Sequence, residues 1–197
     1  MSSFYLDVAK DRLYCGAAGA PERRATQTVL YGAARALLTV IAPILPHTAD
    51  EAWQHLPKRP DDPDSIHLLR WASAPAEWAE WGQGAAGDRG RALLGLRAAA
   101  ARAVEAAIAV GTVGKAAEAE LTCVLPPAVH ALLAPLAAEL PDLLLVAGVC
   151  LEAGEGPATD VAVAPTRAPR CERCWRHRPG PAVGGLCARC ADVLAGV

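Results

Sequence analysis

Four cysteines near the C-terminal end of this 197-residue chain have the spacing of a metal-binding site. Cys171 and Cys174 form one C-x-x-C pair, Cys187 and Cys190 form another, and positions 175–186 lie between the pairs. Each pair points two sulfurs the same way, so four thiolates can converge on one tetrahedral ion at metal–sulfur distances of about 2.3 Å. Zn²⁺ is the expected ion. Because protein sulfurs fill all four positions, we expect a single structural zinc without a site for a reacting water.

Two alternatives to a metal site are a pair of local disulfides and buried cysteines that lie close in sequence by chance. Disulfides are typical of secreted proteins, but Met1–Tyr14 contains no apolar segment of a signal peptide. The other cysteines, Cys15, Cys123 and Cys150, stand in apolar stretches, which indicates reduced core residues. No apolar run reaches the length of about 18 residues that crosses a bilayer. We therefore expect a cytoplasmic protein that contacts no membrane.

Basic charge is concentrated around the paired cysteines, although the whole chain has a net charge of −2. Residues 1–70 carry eight basic and eight acidic side chains, residues 71–165 carry five and eleven, and residues 166–197 carry six and two. All six bases in the last segment are arginines. They would either neutralise the −2 charge of a four-thiolate zinc centre or contact phosphates, with an affinity that falls as salt rises. Both roles remain open.

Trp175 directly follows the second cysteine of the first pair. A tryptophan on a small basic protrusion can stack on an unpaired base. It can equally cover the small core around a metal. The sequence leaves both roles open.

Hydrophobic periodicity predicts a mainly helical first part. We expect one helix up to Tyr14, a second from about Pro21 to Pro43, and a short third helix that Thr48 and Glu51 open as a capping box. Residues Ser65–Trp71 are expected to be extended. These helices predict an antiparallel bundle which, with a connector rich in Pro and Gly, occupies residues 1–87.

The second part combines a long helix with strands and is expected to form a small α+β domain over residues 88–165. The predicted elements are a helix over Asp88–Ala109 that Gly111 and Gly114 end, a strand over Glu118–Leu125, a helix over Pro127–Leu140, a strand over Leu143–Leu151 and an edge strand over Asp160–Ala164. A zinc knuckle over residues 166–197 follows. The predicted fold class is therefore mainly α with an α+β portion.

No independent active site emerges from the sequence. The one dense group of acids around a histidine, His47 with Asp50 and Glu51, fits the solvated first turn of a helix better than a metal or acid–base site. Glycine-rich phosphate loops of the dinucleotide-binding and P-loop types are absent from the sequence. No Ser/His/Asp or Cys/His pair is recognisable as a nucleophile site.

Several segments resemble bacterial isoleucyl-tRNA synthetases. The anticodon-binding helical domain of that family resembles residues 2–14 (SSFYLDVAKDRLY), 27–31 (QTVLY) and 42–53 (APILPHTADEAW). Residues 113–119 (VGKAAEA) resemble the junction after its long helix. Cys171-x-x-Cys174-Trp175 with Leu186-Cys187-x-x-Cys190 resembles its C-terminal zinc finger, which formamidopyrimidine-DNA glycosylases share.

The resemblance implies a tRNA-binding C-terminal portion of an isoleucine-tRNA ligase, either a truncated piece or a separately encoded fragment. It would hold isoleucine tRNA by the anticodon arm for aminoacylation by a catalytic domain. The family's two ATP-site signatures, HIGH and KMSKS, are absent, so we expect this chain alone to be inactive. The expected partners are isoleucine tRNA and the catalytic domain of the same synthetase, and we expect a monomer. Alternatives are a zinc-ribbon DNA-binding module or a scaffold that complements a separate synthetase fragment.

Single-stranded RNA loops are recognised by stacking and by arginine contacts. The first group of predicted tRNA contacts therefore lies on the knuckle, at Arg170, Arg173, Trp175, Arg176 and Arg178. A second, weaker group lies in the first two helices, at Lys10, Arg12, Arg23, Arg24 and Arg35.

Overall fold

A computed structural model describes residues 3–71, 80, 82–178 and 184–196. The chain divides into a helical unit, Ala9–Pro75, and an α+β unit that combines Met1–Val8 with Ala76–Val197. Within the described ranges, no helix combines the length and the apolar character needed to cross a membrane. The functional division at residues 87 and 165 stays a prediction, and much of the connector before residue 87 lies outside the described residues.

Three helices precede residue 56, as predicted: α1 (Ser3–Cys15), α2 (Pro21–Ile41) and α3 (Pro46–His55). Proline occupies the first turn of α2 and of α3, where its fixed φ suits the helix and its missing N–H costs no hydrogen bond. Helices α2 and α3 bury a small core in the helical unit, formed by Leu38, Ala42, Ala49, Trp53 and Ile66. The antiparallel bundle arrangement stays a prediction.

Two local predictions in the helical unit are wrong. Helix α3 begins at Pro46 with Leu45 as its N-cap, so Thr48 lies inside the helix and does not cap it. The segment predicted to be extended contains a 3₁₀ turn, Ile66–Leu68.

Asp50 explains that turn. Its carboxylate accepts hydrogen bonds from Ser65 Oγ at 2.7 Å and from the Ile66 N–H at 3.0 Å. The bond from Ser65, followed by the bond from Ile66, lowers the pKa of Asp50. This acid of the His47, Asp50 and Glu51 group therefore has a structural role that joins α3 to the segment after it.

The α+β unit is built on a three-stranded mixed sheet. Strand β1 (Ala119–Leu125) lies in the middle, parallel to β2 (Gly148–Ala153) and antiparallel to β3 (Asp160–Pro165). Helix α4 (Gly84–Ala109) contributes Leu96, Ala100, Val104 and Ala107 to the core that also contains the buried side chains of β1. Helices α5 (Pro127–Leu133) and α6 (Leu140–Leu144) connect β1 to β2, and α7 (Ala188–Ala195) comes last. The mainly α fold with an α+β portion is confirmed.

Proline residues and residues with a positive φ determine the helix and strand boundaries that hydrophobic periodicity predicts incorrectly. The helix predicted over Pro127–Leu140 ends at Leu133 because Pro135 cannot donate the next helical hydrogen bond. The strand predicted from Leu143 begins only at Gly148, since α6 continues to Leu144 and Leu145 ends it at φ 62°. Helix α4 begins at Gly84, earlier than the predicted start at Asp88.

The C-terminal end of α4 is closed by Gly111, as its position after the predicted helix indicates. Gly111 adopts a φ of 76°, which favours glycine. The N–H of Thr112 donates to the carbonyl of Ala107 at 2.9 Å, and the N–H of Gly111 donates to that of Ile108 at 3.0 Å. This Schellman arrangement satisfies carbonyls that the helix end leaves unpaired.

Arg35 anchors the loop after α3 in the helical unit. Its guanidinium donates to both carboxylate oxygens of Asp62, at 2.6 and 2.7 Å, and to the Tyr31 hydroxyl at 3.1 Å. It also lies 4.7 Å from the centre of the buried Trp53 ring. The hydrogen bond from Arg35 lowers the pKa of Asp62 to about 2.

Replacing Asp62 with Asn should destabilise the helical unit by about 1–3 kcal/mol at neutral pH, because Arg35 loses a paired carboxylate. The folded-state pKa of Asp62 lies below its ordinary value of 3.8, so its stabilisation is present above that value. It should fade as the pH falls from about 4 towards 2. Urea unfolding at several pH values measures the difference from the wild type. Asp61→Asn, at the exposed neighbouring acid, is the control, and an equal effect of both variants would contradict the prediction.

Candidate metal centre and nucleic-acid interface

Two different local structures present the four cysteines. Residues 169–178 form a narrow hairpin, in which Arg170 and His177 make an antiparallel bridge and the Cys171 N–H donates to the Arg176 carbonyl at 2.9 Å. The first cysteine pair lies at the tip of this hairpin. The second pair lies at the start of α7, where Cys187 is the N-cap. The Glu172 N–H donates to the Gly185 carbonyl at 3.0 Å and joins the two halves.

The four sulfurs lie within 4.8 Å of one another, as a shared metal requires. A tetrahedral ion with metal–sulfur distances of about 2.3 Å has sulfur–sulfur edges of about 3.8 Å. The Cys174 and Cys187 sulfurs, one from each pair, are 3.9 Å apart. All four cysteines are free, so the disulfide alternative is wrong. The donor set and its spacing fit a tetrahedral metal ion.

The pKa values of the clustered cysteines are shifted in different directions by their surroundings. Burial opposes ionisation of Cys171, but backbone N–H groups, including that of Cys187 at 3.3 Å, outweigh it and lower the pKa of Cys171 to about 6. Burial raises the pKa of Cys174 to about 12 and also raises that of Cys187. A bound cation would supply the positive charge that the remaining thiolates need.

The other cysteines lie outside this cluster. Cys123 is buried on β1, which confirms its predicted core position, and burial raises its pKa to about 11. Cys15 is partly exposed. Cys150 is exposed on β2, so its predicted place in the core is wrong. Side chains alternate between the two faces of β2, and Val149 and Leu151 pack against the core, so Cys150 lies on the opposite face.

The predicted contact residues on the knuckle have three different environments: beside a cysteine sulfur, beside Asp142, and on the exposed surface. Arg173 Nη1 donates to the Cys190 sulfur at 3.5 Å. Arg178 Nη2 donates to both carboxylate oxygens of Asp142, at 2.8 and 2.9 Å, and Arg176 Nε lies 3.9 Å from the same carboxylate. Asp142 belongs to α6, and nothing in the sequence links it to arginines so far downstream.

Arg170 and Trp175 are the outward-facing pair on the knuckle. The Trp175 side chain is 66% exposed, and its φ of 59° turns the backbone at the hairpin tip. The exposed Arg170 guanidinium carbon lies 5.6 Å from the centre of the Trp175 ring, which is a cation–π distance. The metal-capping role considered for Trp175 does not fit this exposure. We call these two residues the knuckle tip pair.

The basic residues of the first two helices are not equally accessible. Lys10 and Arg24 are exposed, while Arg12 and Arg23 are partly exposed. Arg23 Nη1 donates to the Gly16 carbonyl at 3.3 Å. Arg35 is held by Asp62, as described above, with its side chain only 14% exposed.

Two further cations of the helical unit were not predicted from the sequence as candidate site residues. Lys58 Nζ lies 4.0 Å from the centre of the Trp53 ring, and the Arg59 guanidinium carbon lies 5.5 Å from that of Tyr31. Both residues are exposed in the loop that Arg35 and Asp62 anchor. Their position in a Pro- and Asp-rich loop gave no signal of these aromatic contacts.

Comparison with known proteins identifies the family. Residues 1–123 match the family described as the anticodon-binding domain of tRNA ligase. The chain is 43% identical over 199 residues to isoleucine-tRNA ligase 2 of Burkholderia mallei, covering 99% of this chain and 20% of that protein. It is 38% identical over 210 residues to isoleucine-tRNA ligase of Geobacillus thermodenitrificans, covering 98% of this chain and 22% of that protein.

A third relative, isoleucine-tRNA ligase of Geobacter sulfurreducens, is 34% identical over 209 residues, covering 98% of this chain and 22% of that protein. The chain therefore spans about a fifth of the length of these curated relatives. The family match covers more than half of the chain and includes the segments that resembled the synthetase helices. This chain belongs to the family of anticodon-binding domains of tRNA ligases.

Proposed function

We propose that this chain is the C-terminal, tRNA-binding portion of an isoleucine-tRNA ligase. It would bind the anticodon arm of isoleucine tRNA and hold the tRNA for aminoacylation by a catalytic domain. The observation that carries the proposal is the match of residues 1–123 to the anticodon-binding family. Relatives named isoleucine-tRNA ligase, matched over nearly the whole chain, support the choice of amino acid. The antiparallel helical bundle of class I synthetases is the arrangement that we propose for the first helices.

The metal in this proposal is one structural Zn²⁺ held by Cys171, Cys174, Cys187 and Cys190. Zinc prefers tetrahedral sulfur ligands, and four protein sulfurs leave no position for a substrate or a reacting water. Its contribution is to folding, because it fixes the hairpin to the start of α7. The need for free thiols fits a reducing compartment, and we propose that the chain acts in the cytoplasm.

The knuckle tip pair is the part of the knuckle best placed to contact RNA. An anticodon loop presents unstacked bases, which stack on exposed aromatic rings and on guanidinium planes. Arg170 and Trp175 offer both groups side by side. Arg173, Arg176 and Arg178 stay predicted contacts, although their guanidinium groups already face a sulfur or Asp142.

The helical unit would provide a second tRNA surface. Lys10 and Arg24 are the exposed candidates there, and Arg12 and Arg23 are partly exposed. Arg35, bound to Asp62, would act by holding its loop in place.

The proposed protein partner is the catalytic domain of an isoleucine-tRNA ligase, bound by a monomer of this chain. The curated relatives are about five times longer than the part matched here. Apolar side chains on α2 and directly after it are exposed, including Leu37, Val40 and Ile44 at 55%, 51% and 75%. Such a surface suits protein contact better than contact with phosphates.

Replacing Cys174 with Ser should abolish zinc binding, because the ion loses one of its four sulfurs. Far-ultraviolet circular dichroism should retain most of its helical signal, since α1–α4 lie outside the knuckle. Metal analysis of the purified chain measures the stoichiometry. Cys150→Ser, at an exposed cysteine outside the cluster, is the matched control and should keep one zinc per chain. Zinc retained at full stoichiometry by Cys174→Ser would refute the four-sulfur site.

Replacing Arg170 with Gln should weaken binding of isoleucine tRNA and reduce the salt slope by about one if the guanidinium contacts a phosphate. Trp175→Ala should cost about 1–3 kcal/mol of binding free energy with little change in that slope, because a stacked base is lost. Titrations with labelled tRNA at several salt concentrations measure both quantities. Arg102→Gln, at an exposed arginine of α4, serves as the control.

Competitors separate this proposal from its two alternatives. Isoleucine tRNA should displace the labelled tRNA better than a non-cognate tRNA or duplex DNA at the same salt concentration. Stronger competition by duplex DNA would favour a DNA-binding module. Absence of tRNA binding together with tight binding to a separate catalytic fragment would favour a scaffold.

A further inference from the structure

One carboxylate of the α+β unit contacts two arginines of the knuckle. Asp142 accepts two hydrogen bonds from Arg178 Nη2, at 2.8 and 2.9 Å, and its Oδ1 lies 3.9 Å from Arg176 Nε. The side chains of Asp142, Arg176 and Arg178 are 28%, 13% and 26% exposed. This partial burial strengthens their electrostatic attraction compared with a fully exposed pair.

We infer that Asp142 is a positioning residue that orients the metal knuckle, and with it the knuckle tip pair, for contact with RNA. The inference rests on the proposed tRNA-binding function. It assigns Arg176 and Arg178 to this internal contact, although their residue type and location predicted contacts with RNA.

The hairpin backbone connects the residues that contact Asp142 to the hairpin tip. Arg176 and Arg178 are two residues apart in the second arm of the hairpin, and both side chains lie on the face that meets Asp142. The backbone carbonyl of Arg176 accepts a hydrogen bond from the N–H of Cys171, a proposed metal ligand, at 2.9 Å. Trp175 immediately precedes Arg176 in the sequence.

The base of the same hairpin is fixed by two more contacts. His177 Nδ1 lies 2.8 Å from the Ala168 carbonyl, and the Arg178 N–H donates to the Pro169 carbonyl at 3.3 Å. Asp142 therefore contacts a hairpin that is fixed by several hydrogen bonds. Its effect on the orientation of the hairpin should extend to the knuckle tip pair. Without it, the orientation of the knuckle would have to be ordered on binding, which lowers affinity.

An alternative is that Asp142 merely competes with RNA phosphates for these arginines. The two possibilities predict opposite effects of Asp142→Asn. If Asp142 positions the knuckle, its loss should weaken binding and leave the salt slope unchanged, because no phosphate contact is lost. If it competes with RNA, its loss should free two guanidinium groups, tighten binding and steepen the slope.

The test measures binding of isoleucine tRNA to the full zinc-loaded chain across a range of salt concentrations. We expect Asp142→Asn to bind about tenfold more weakly, with an unchanged slope and one zinc per chain. Glu155→Gln makes the same change in net charge at an exposed loop residue of the unit and should bind as the wild type does. Unchanged or tighter binding by Asp142→Asn would overturn the inference.

Arg178→Gln tests the same contact from its other side. If Asp142 and Arg178 act through one interaction, the double variant should bind no more weakly than the weaker single variant. Additive losses would show that Arg178 has an independent contact with RNA.

A measurement without RNA keeps the inference separable from the proposed function. The amides of Cys171 and Trp175 should exchange faster with solvent in Asp142→Asn than in the wild type while zinc is retained. If the wild type binds no tRNA, the proposed function fails. If Asp142→Asn then also shows the same amide exchange as the wild type, the positioning role is rejected as well.

Discussion

Convergence of four sulfurs at one point is the constraint on which the end of this chain depends. Among the described knuckle residues, Cys171, Cys187 and Cys190 are buried, with Cys174 and Leu186 packed against them. So few apolar side chains cannot stabilise a fold by burial alone. A metal bound by the four sulfurs would replace the missing core, because each metal–sulfur bond would fix a distant part of the segment. The direction of Trp175 and of the neighbouring arginines follows from that arrangement.

The arginine cluster combines roles that the sequence could not separate. Arg173 faces a sulfur, Arg178 faces Asp142, and Arg170 lies beside an exposed tryptophan. Charge compensation and the proposed nucleic-acid contact would therefore involve different members of one cluster. A count of basic residues locates such a surface but overestimates the number of its side chains that are exposed.

Features set by near neighbours in sequence were the predictable ones. The C-x-x-C pairs, the proline at the start of α2 and Gly111 after α4 each act within a few residues, and their predictions agree with the structure. The capping box failed because Pro46 had already opened α3. Asp142 was missed because its arginine partners lie far downstream, beyond two strands and a loop, where periodicity and spacing carry no information.

Exposure distinguishes two uses of the same chemistry in this chain. Trp53 has Arg35 at 4.7 Å and Lys58 at 4.0 Å from its ring centre, yet it is fully buried, so its cation–π contacts can only stabilise the helical unit. Trp175 has Arg170 at 5.6 Å and is 66% exposed, so its ring remains available to a partner. Each tryptophan is accompanied by an arginine–aspartate contact, through Asp62 or Asp142. In both units an aspartate pairs with an arginine, and in the knuckle this arginine belongs to the hairpin that presents the Trp175 ring to solvent.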